Sequence, residues 1–142
     1  MAAFRMTMEI DGRGIVLAVY SGEFTASDWL RQRRAVVDSR FSPEDYDGRP
    51  VVIDMTACQL PRRDWSEHFQ EASRFLKGRR PKPFRLAMII GDDPGAEAGL
   101  ALFAEYQKLL HHPDSEVRTF RSGEEAYAWA LAGLQPPERT EA

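Results

Sequence analysis

The sequence predicts an α/β fold, a single domain on a mixed five-stranded sheet in the order β-β-α-β-α-β-α-β-α. Three observations carry this. Phe4, Met6, Met8 and Ile10 alternate with Arg5, Thr7 and Glu9, and a second apolar run, Ile15 to Tyr20, follows Asp11-Gly12-Arg13-Gly14. That is the pattern of an antiparallel hairpin. Two short apolar runs, Val51-Val52-Ile53-Asp54-Met55-Thr56 and Leu86 to Ile90, read as strands covered on both faces. Helix-period stretches with start and stop signals separate the strands. Strands alternating with helices after a hairpin imply a sheet that is parallel in its later part, with right-handed crossovers.

In the first strand one face is apolar and the other polar. Asp11-Gly12 favours a tight turn, because glycine tolerates positive φ. The nearly continuous apolar character of Ile15 to Tyr20 places the second strand further inside the sheet. Ser21-Gly22 ends it. Thr25 is an N-cap with Asp28 at N3, a shortened capping box. Trp29, Leu30, Val36 and Val37 recur at helical spacing to about Ser39, with Arg31, Arg33 and Arg34 mostly off that stripe. Residues 41–48 are turn-rich.

The Val51 run, bounded by Pro50 and by Leu60-Pro61, is the predicted central strand. Asp64 with Glu67 is a second capping signature, and Trp65, Phe69, Ala72 and Leu76 form one apolar helix face. Gly78, Pro81 and Pro83 stop that helix, and Lys77, Arg79 and Arg80 suit the negative end of its dipole. After Leu86 to Ile90, Gly91-Asp92-Asp93-Pro94 supplies a stop, a cap and a helix-opening proline. Leu102, Phe103, Tyr106, Leu109 and Leu110 carry the next helical stripe. Glu116 to Phe120 reads as an edge strand with Arg118 exposed. Ser122-Gly123-Glu124-Glu125 is a third capping box, and Ala126, Trp129, Ala130 and Gly133 give the inner face of the last helix. The domain is expected to span residues 1–134, with a frayed polar tail over 135–142.

A chain of 142 residues buries a full core without disulfide or metal staples. One cysteine, Cys58, excludes an internal disulfide and suits a reducing compartment, so a cytoplasmic location is expected. No apolar run approaches the roughly 18 residues of a membrane span. The net charge of −3 argues against nucleic acid as partner. It hides an asymmetry, since residues 60–85 hold eight Lys/Arg and three acids, a local net of +5 against −8 elsewhere.

Catalytic readings lack parts. Asp54, Asp92 and Asp93 would meet at strand ends if they were to hold Mg²⁺, yet Asp93 serves equally as a helix cap and Asp54 as an acceptor of loop N–H bonds. Cys58 and His68 flank a helix start without a third group to orient them as nucleophile and base. His111 and His112 suit the end of a helix dipole better than a metal. There is no phosphate-cradling glycine loop, no Gly-x-Ser-x-Gly elbow and no His-Glu-x-x-His. No enzyme, cofactor or metal is expected.

Binding readings have more to work with. Ligands in open α/β sheets sit beyond the carboxyl ends of the strands, so Asp54 and Thr56 are the first candidates. Leu60, Trp65 and Phe69 would line an apolar pocket beside them, bounded by the 55–64 loop and by the turn that holds Asp92. Helix-on-sheet packing accounts for the same aromatics. Arg62, Arg63, Lys77, Arg79, Arg80 and Lys82, with Arg85, form a basic stretch. It is either a set of solvated helix ends or a contact for an anionic partner, a peripheral anionic membrane included.

The hairpin into Ser21-Gly22-Glu23-Phe24-Thr25, the strand 51–56, Arg85 to Ile90, and the run Val117 to Trp129 together resemble the STAS-like family. The resemblance is to its SpoIIAA-like branch, related to SEC14 lipid-transfer domains, and spans residues 6–134. It implies a non-enzymatic domain that binds a protein partner or, through the SEC14 connection, a lipid-like apolar or amphipathic ligand. Phosphorylation-switched STAS regulators carry an Asp-Ser-Ser-Gly-like segment, and here residues 58–66 lack it. Two alternatives stand beside this: a small metal-assisted enzyme using Asp54, Asp92 and Asp93, and a ligand-free homodimeric scaffold.

Overall fold

The computed structural model describes residues 3–59, 70, 74, 82–90 and 114–134. Five strands form one sheet in the spatial order β1 (Arg5–Ile10), β2 (Val16–Glu23), β3 (Val51–Gln59), β4 (Arg85–Ile89), β5 (Glu116–Phe120). β1 and β2 are antiparallel, and every later pair is parallel. The described helices are α1 (Ala26–Gln32), continued by a π-helical segment Arg33–Asp38, the short α2 (Pro43–Tyr46) and α3 (Gly123–Ala132). The expected helices between β3 and β4 and between β4 and β5 lie outside the described residues, apart from helical Gln70 and Arg74. So do Asp93, His68, His111, His112 and the 135–142 tail. Among the described residues no helix is long and apolar enough to cross a membrane.

Strand alternation divides the apolar residues between two cores. On one face Phe4, just before β1, and Met6 and Met8 of β1 pack with Val16, Ala18 and Tyr20 of β2, with Val51, Ile53 and Met55 of β3, and with Leu86 and Met88 of β4. Trp29 and Val37 close that core from the first crossover. The Trp29 indole N–H donates to the Tyr20 hydroxyl at 3.2 Å, and Phe4 meets Tyr20 and Phe24 edge-on. On the other face Ile15, Val52 and Ala87 pack against Ala126 and Ala130 of α3. Alanine at both helix positions lets α3 lie close to the sheet.

Three local expectations need correcting. The β1–β2 connection is a five-residue loop, with Ile10 paired to Val16, in place of a tight Asp-Gly turn. Asp11 organises it: its Oδ1 accepts from the N–H groups of Arg13 and Ile15, both at 2.9 Å. The positive φ, +86°, falls at Gly14, two residues beyond the glycine of the Asp-Gly pair. Arg33, expected off the apolar stripe, is buried, because its guanidinium stacks over Trp29 and Tyr46 at 5.9 and 5.3 Å from the ring centroids. Residues 43–46, expected as turn, form a helical turn: Ser42 N–H donates to the Asp45 carboxylate at 2.8 Å, and Tyr46 is buried.

Two of the expected caps are present. Thr25 Oγ1 accepts from Asp28 N–H at 3.2 Å, and Ser122 Oγ accepts from Glu125 N–H at 3.4 Å.

Candidate functional site

β3 is the middle strand and positions Asp54. It is longer than expected, running to Gln59, so the stretch Met55 to Gln59 is strand and not loop. The reason is its pairing with β2, where Ala57, Cys58 and Gln59 face Ser21, Gly22 and Glu23, and Phe24 N–H donates to Gln59 C=O at 2.8 Å. The register slips on the way. Val19 faces Asp54 but Ser21 faces Ala57, so Tyr20 stands against both Met55 and Thr56. This bulge is bridged by Asp54, whose Oδ1 accepts from Thr56 N–H at 3.0 Å and from Thr56 Oγ1 at 2.7 Å.

Asp54 and Thr56 are thus brought together, and the contact consumes acceptor capacity that a metal would need. Asp54 stands in a row across the sheet, Thr7–Val19–Asp54–Ile89–Phe120. Ile89 and Phe120 belong to the α3-side core, whereas Val19 is 46% exposed. Asp54 is therefore half-buried at the margin of the helix-covered part of that face. Asp54 with Ile89 is also the last β3–β4 pair that the described residues make. Beyond it β3 continues beside β2, while Ile90 N–H donates to Phe120 C=O on β5 at 2.7 Å.

Of the other candidates, Leu60, Trp65, Phe69, Asp92, Arg62, Arg63, Lys77, Arg79 and Arg80 lie outside the described residues. Lys82 is described and exposed, with its backbone N–H on Asp47 Oδ1 at 3.2 Å. Arg85 is spoken for. It bonds Glu116 at 3.3 Å and the Trp129 carbonyl at 2.8 Å, and stacks on the Trp129 ring at 4.8 Å. Its role here is to tie β4 to the end of α3. Cys58 is half-buried, and that burial pushes its thiol up to about 12, far from a reactive thiolate. Among the described residues no group of three His, Cys, Asp or Glu is placed to hold a metal ion.

One feature was missed at the level of sequence. Among the described residues, Ser27, Leu30, Arg31, Arg34 and Ala35 line a groove of about 600 Å³ along α1 and the start of its π-helical continuation. These are spaced i, i+3, i+4, i+7 and i+8, the face left over once Trp29, Arg33 and Val37 turn inward. The signal was legible as a second stripe on the same helix.

No family model and no curated protein matches the chain. A solved structure does: an uncharacterized DUF3478-family protein with a SpoIIAA-like fold from Shewanella loihica PV-4. It is 11% identical, the match covers 92% of this chain and 97% of that one, and the TM-score is 0.56. The fold is SpoIIAA-like. An antiparallel β1–β2 hairpin followed by parallel strands, with α3 laid back on one face, is the SpoIIAA-like sheet of this chain. At that identity the likeness extends to the fold alone.

Proposed function

We propose that the protein is a non-enzymatic STAS-like, SEC14-like binding domain. It takes an apolar or amphipathic, lipid-like ligand or a regulatory protein partner at the carboxyl end of β3. The supporting observation is the last β3–β4 pair at Asp54–Ile89, beyond which the described parts of the two strands take different neighbours. The carboxyl ends of the strands are where open α/β sheets bind ligands. Asp54, held by Thr56, is a fixed polar marker at the edge of the proposed site, and Leu60, Trp65, Phe69 and Asp92 follow in the chain as its proposed lining. Lys82, with Arg62, Arg63, Lys77, Arg79 and Arg80, would orient an anionic partner or headgroup.

The test is thermal melting of the protein with oleate, with a lysophospholipid, and with Mg²⁺ or Mn²⁺. A ligand at 100 times its Kd stabilises by about 2.7 kcal/mol, so a bound amphiphile raises Tm by several degrees. A rise with the divalent cation that Asp54→Asn abolishes would replace this reading with the metal-assisted enzyme. A stable dimer indifferent to every addition would replace it with the homodimeric scaffold.

A further inference from the structure

The two edges of the sheet differ. On β1 the side chains of Gln32 and Arg40 bond outward backbone groups, Met6 N–H and Met8 C=O, both at 3.3 Å. β5 is the other edge. Its Glu116 N–H donates to Phe84 C=O at 3.0 Å, and its Phe120 C=O accepts from Ile90 N–H at 2.7 Å, so the even-numbered residues of β5 bond toward β4. Backbone groups alternate along a strand, and Val117 and Thr119 therefore turn theirs away from the sheet. Among the described residues nothing bonds those outward groups. An open strand edge is a template for another strand.

The sequence of β5 says which strand fits. Ser115-Glu116-Val117-Arg118-Thr119 is its own complement when turned end for end about Val117. In an antiparallel pair of two such strands, Val117 and the Ser115–Thr119 positions are the hydrogen-bonded ones. Glu116 and Arg118 then stand at the non-hydrogen-bonded positions, each directly opposite the other's type, where side chains come closest. Centring the pair one residue either way sets Glu116 or Arg118 against its own copy, and like charges in that position repel. Both side chains are exposed and keep reach beyond their contacts within the chain. Glu116 meets Arg85 through Oε1 alone, and Arg118 lies over the Trp129 ring at 5.2 Å with five N–H donors to that one contact. No described helix stands in the way. α3 packs its Ala126 and Ala130 on Val52 of β3 and Ala87 of β4, back from the edge. Across such a joint the two copies of α3 would lie roughly 19 Å apart, four strand spacings of ~4.8 Å, well beyond the 8–10 Å of packed helices.

We propose that two copies of this chain pair through β5, antiparallel, with Val117 on the two-fold axis. The pairing joins the two five-stranded sheets into one, and Glu116 faces Arg118 of the partner subunit on either side of the axis. β3 lies two places in from β5, so Asp54 takes no part in it. The dimer goes beyond the binding-domain reading and does not depend on it.

The experiment is sedimentation of the full chain across a range of concentrations, which yields a monomer–dimer equilibrium. Arg118→Glu and, separately, Glu116→Arg each raise the dimer Kd by about tenfold or more, and the two substitutions together restore it, with melting curves confirming that every variant folds. A second measurement is disulfide linking. Oxidation of Val117→Cys joins two chains, because the Cα atoms of a hydrogen-bonded antiparallel pair lie about 5.5 Å apart, within disulfide reach. Val19→Cys, on an exposed residue of β2, links far more slowly. A chain that stays monomeric, single reversals that weaken the dimer without rescue in the double, or linking at position 117 no faster than at 19 overturns the proposal. If amphiphile still raises the Tm of Arg118→Glu, the pairing and the Asp54 reading both stand. If amphiphile fails on this variant and on wild type alike while the charge swap rescues the dimer, the binding reading falls and the pairing stands.

Discussion

The Tyr127 hydroxyl donates a hydrogen bond to Asp11 Oδ2, joining the β1–β2 loop to the middle of α3 across 116 positions of sequence. Asp11 therefore works twice: Oδ1 shapes its own loop and Oδ2 anchors the last helix over the sheet.

The first prediction follows from how the pair titrates. Slight burial pushes the Asp11 carboxyl up. The bond from Tyr127, the Ile15 and Arg13 N–H groups and the Arg13 charge outweigh it, so the net effect lowers it from 3.8. Tyr127 is raised above 10, chiefly by that hydrogen bond and then by burial. A lowered acid stabilises the fold above its unfolded value and loses that contribution as pH falls through the folded one. A raised phenol stabilises it below its unfolded value and loses that contribution as pH rises through the folded one. Tyr127→Phe should therefore lower stability most between about pH 5 and 9, with the gap to wild type closing on either side. Denaturant melts across pH check this; a gap independent of pH contradicts it.

A second prediction concerns Gly133. A Cβ there would come within 2.4 Å of Arg85 Cδ, in the side chain that bonds the Trp129 carbonyl and stacks on its ring. Its φ of −83° is ordinary, so the cost of a side chain is the displaced arginine and not the backbone. Gly133→Ala should cost about 1–2 kcal/mol. In an Arg85→Ala background it should cost little, and a double-mutant cycle measures the difference. Additive losses would mean that the two residues act separately.

β1 is an edge strand, and the side chains of Gln32 and Arg40 occupy two of its outward backbone groups. Exposed strand edges recruit other strands. Replacing both residues with alanine should therefore give concentration-dependent association by light scattering, where wild type shows less. Unchanged scattering would show that these two contacts do not guard the edge.

The fold was legible because each strand and cap is written locally. Phe4, Met6 and Met8 alternate, Val51 to Ile53 is apolar on both faces, and Thr25 and Ser122 precede acidic residues by three positions. What was not legible depended on residues distant in sequence. β3 runs past Thr56 because β2 keeps pace with it through a bulge, and nothing in residues 56–59 announces that. Arg33 is buried because Tyr46, thirteen residues on, supplies a second ring. Of the candidate site, Asp54 and Thr56 lie in the described residues, two positions apart on one strand. Their mutual hydrogen bond is a consequence of the bulge, and the α1 groove was hidden as the polar side of a helix read for its core stripe.

Cys58 gives a fourth prediction. With its thiol pushed up to about 12 by burial, it should react with Ellman's reagent at pH 8 far more slowly in the native protein than in denaturant. Reaction at the rate of the unfolded chain would mean that the C-terminal half of β3 opens readily.

The claim that this SpoIIAA-like domain binds, and does not catalyse, is tested most directly by native mass spectrometry of the protein purified gently from its own host. The account predicts a stoichiometric adduct, either of lipid mass or of a co-purifying protein lost on raising the salt. A clean mass with neither adduct, unchanged by amphiphile added in excess, would contradict it.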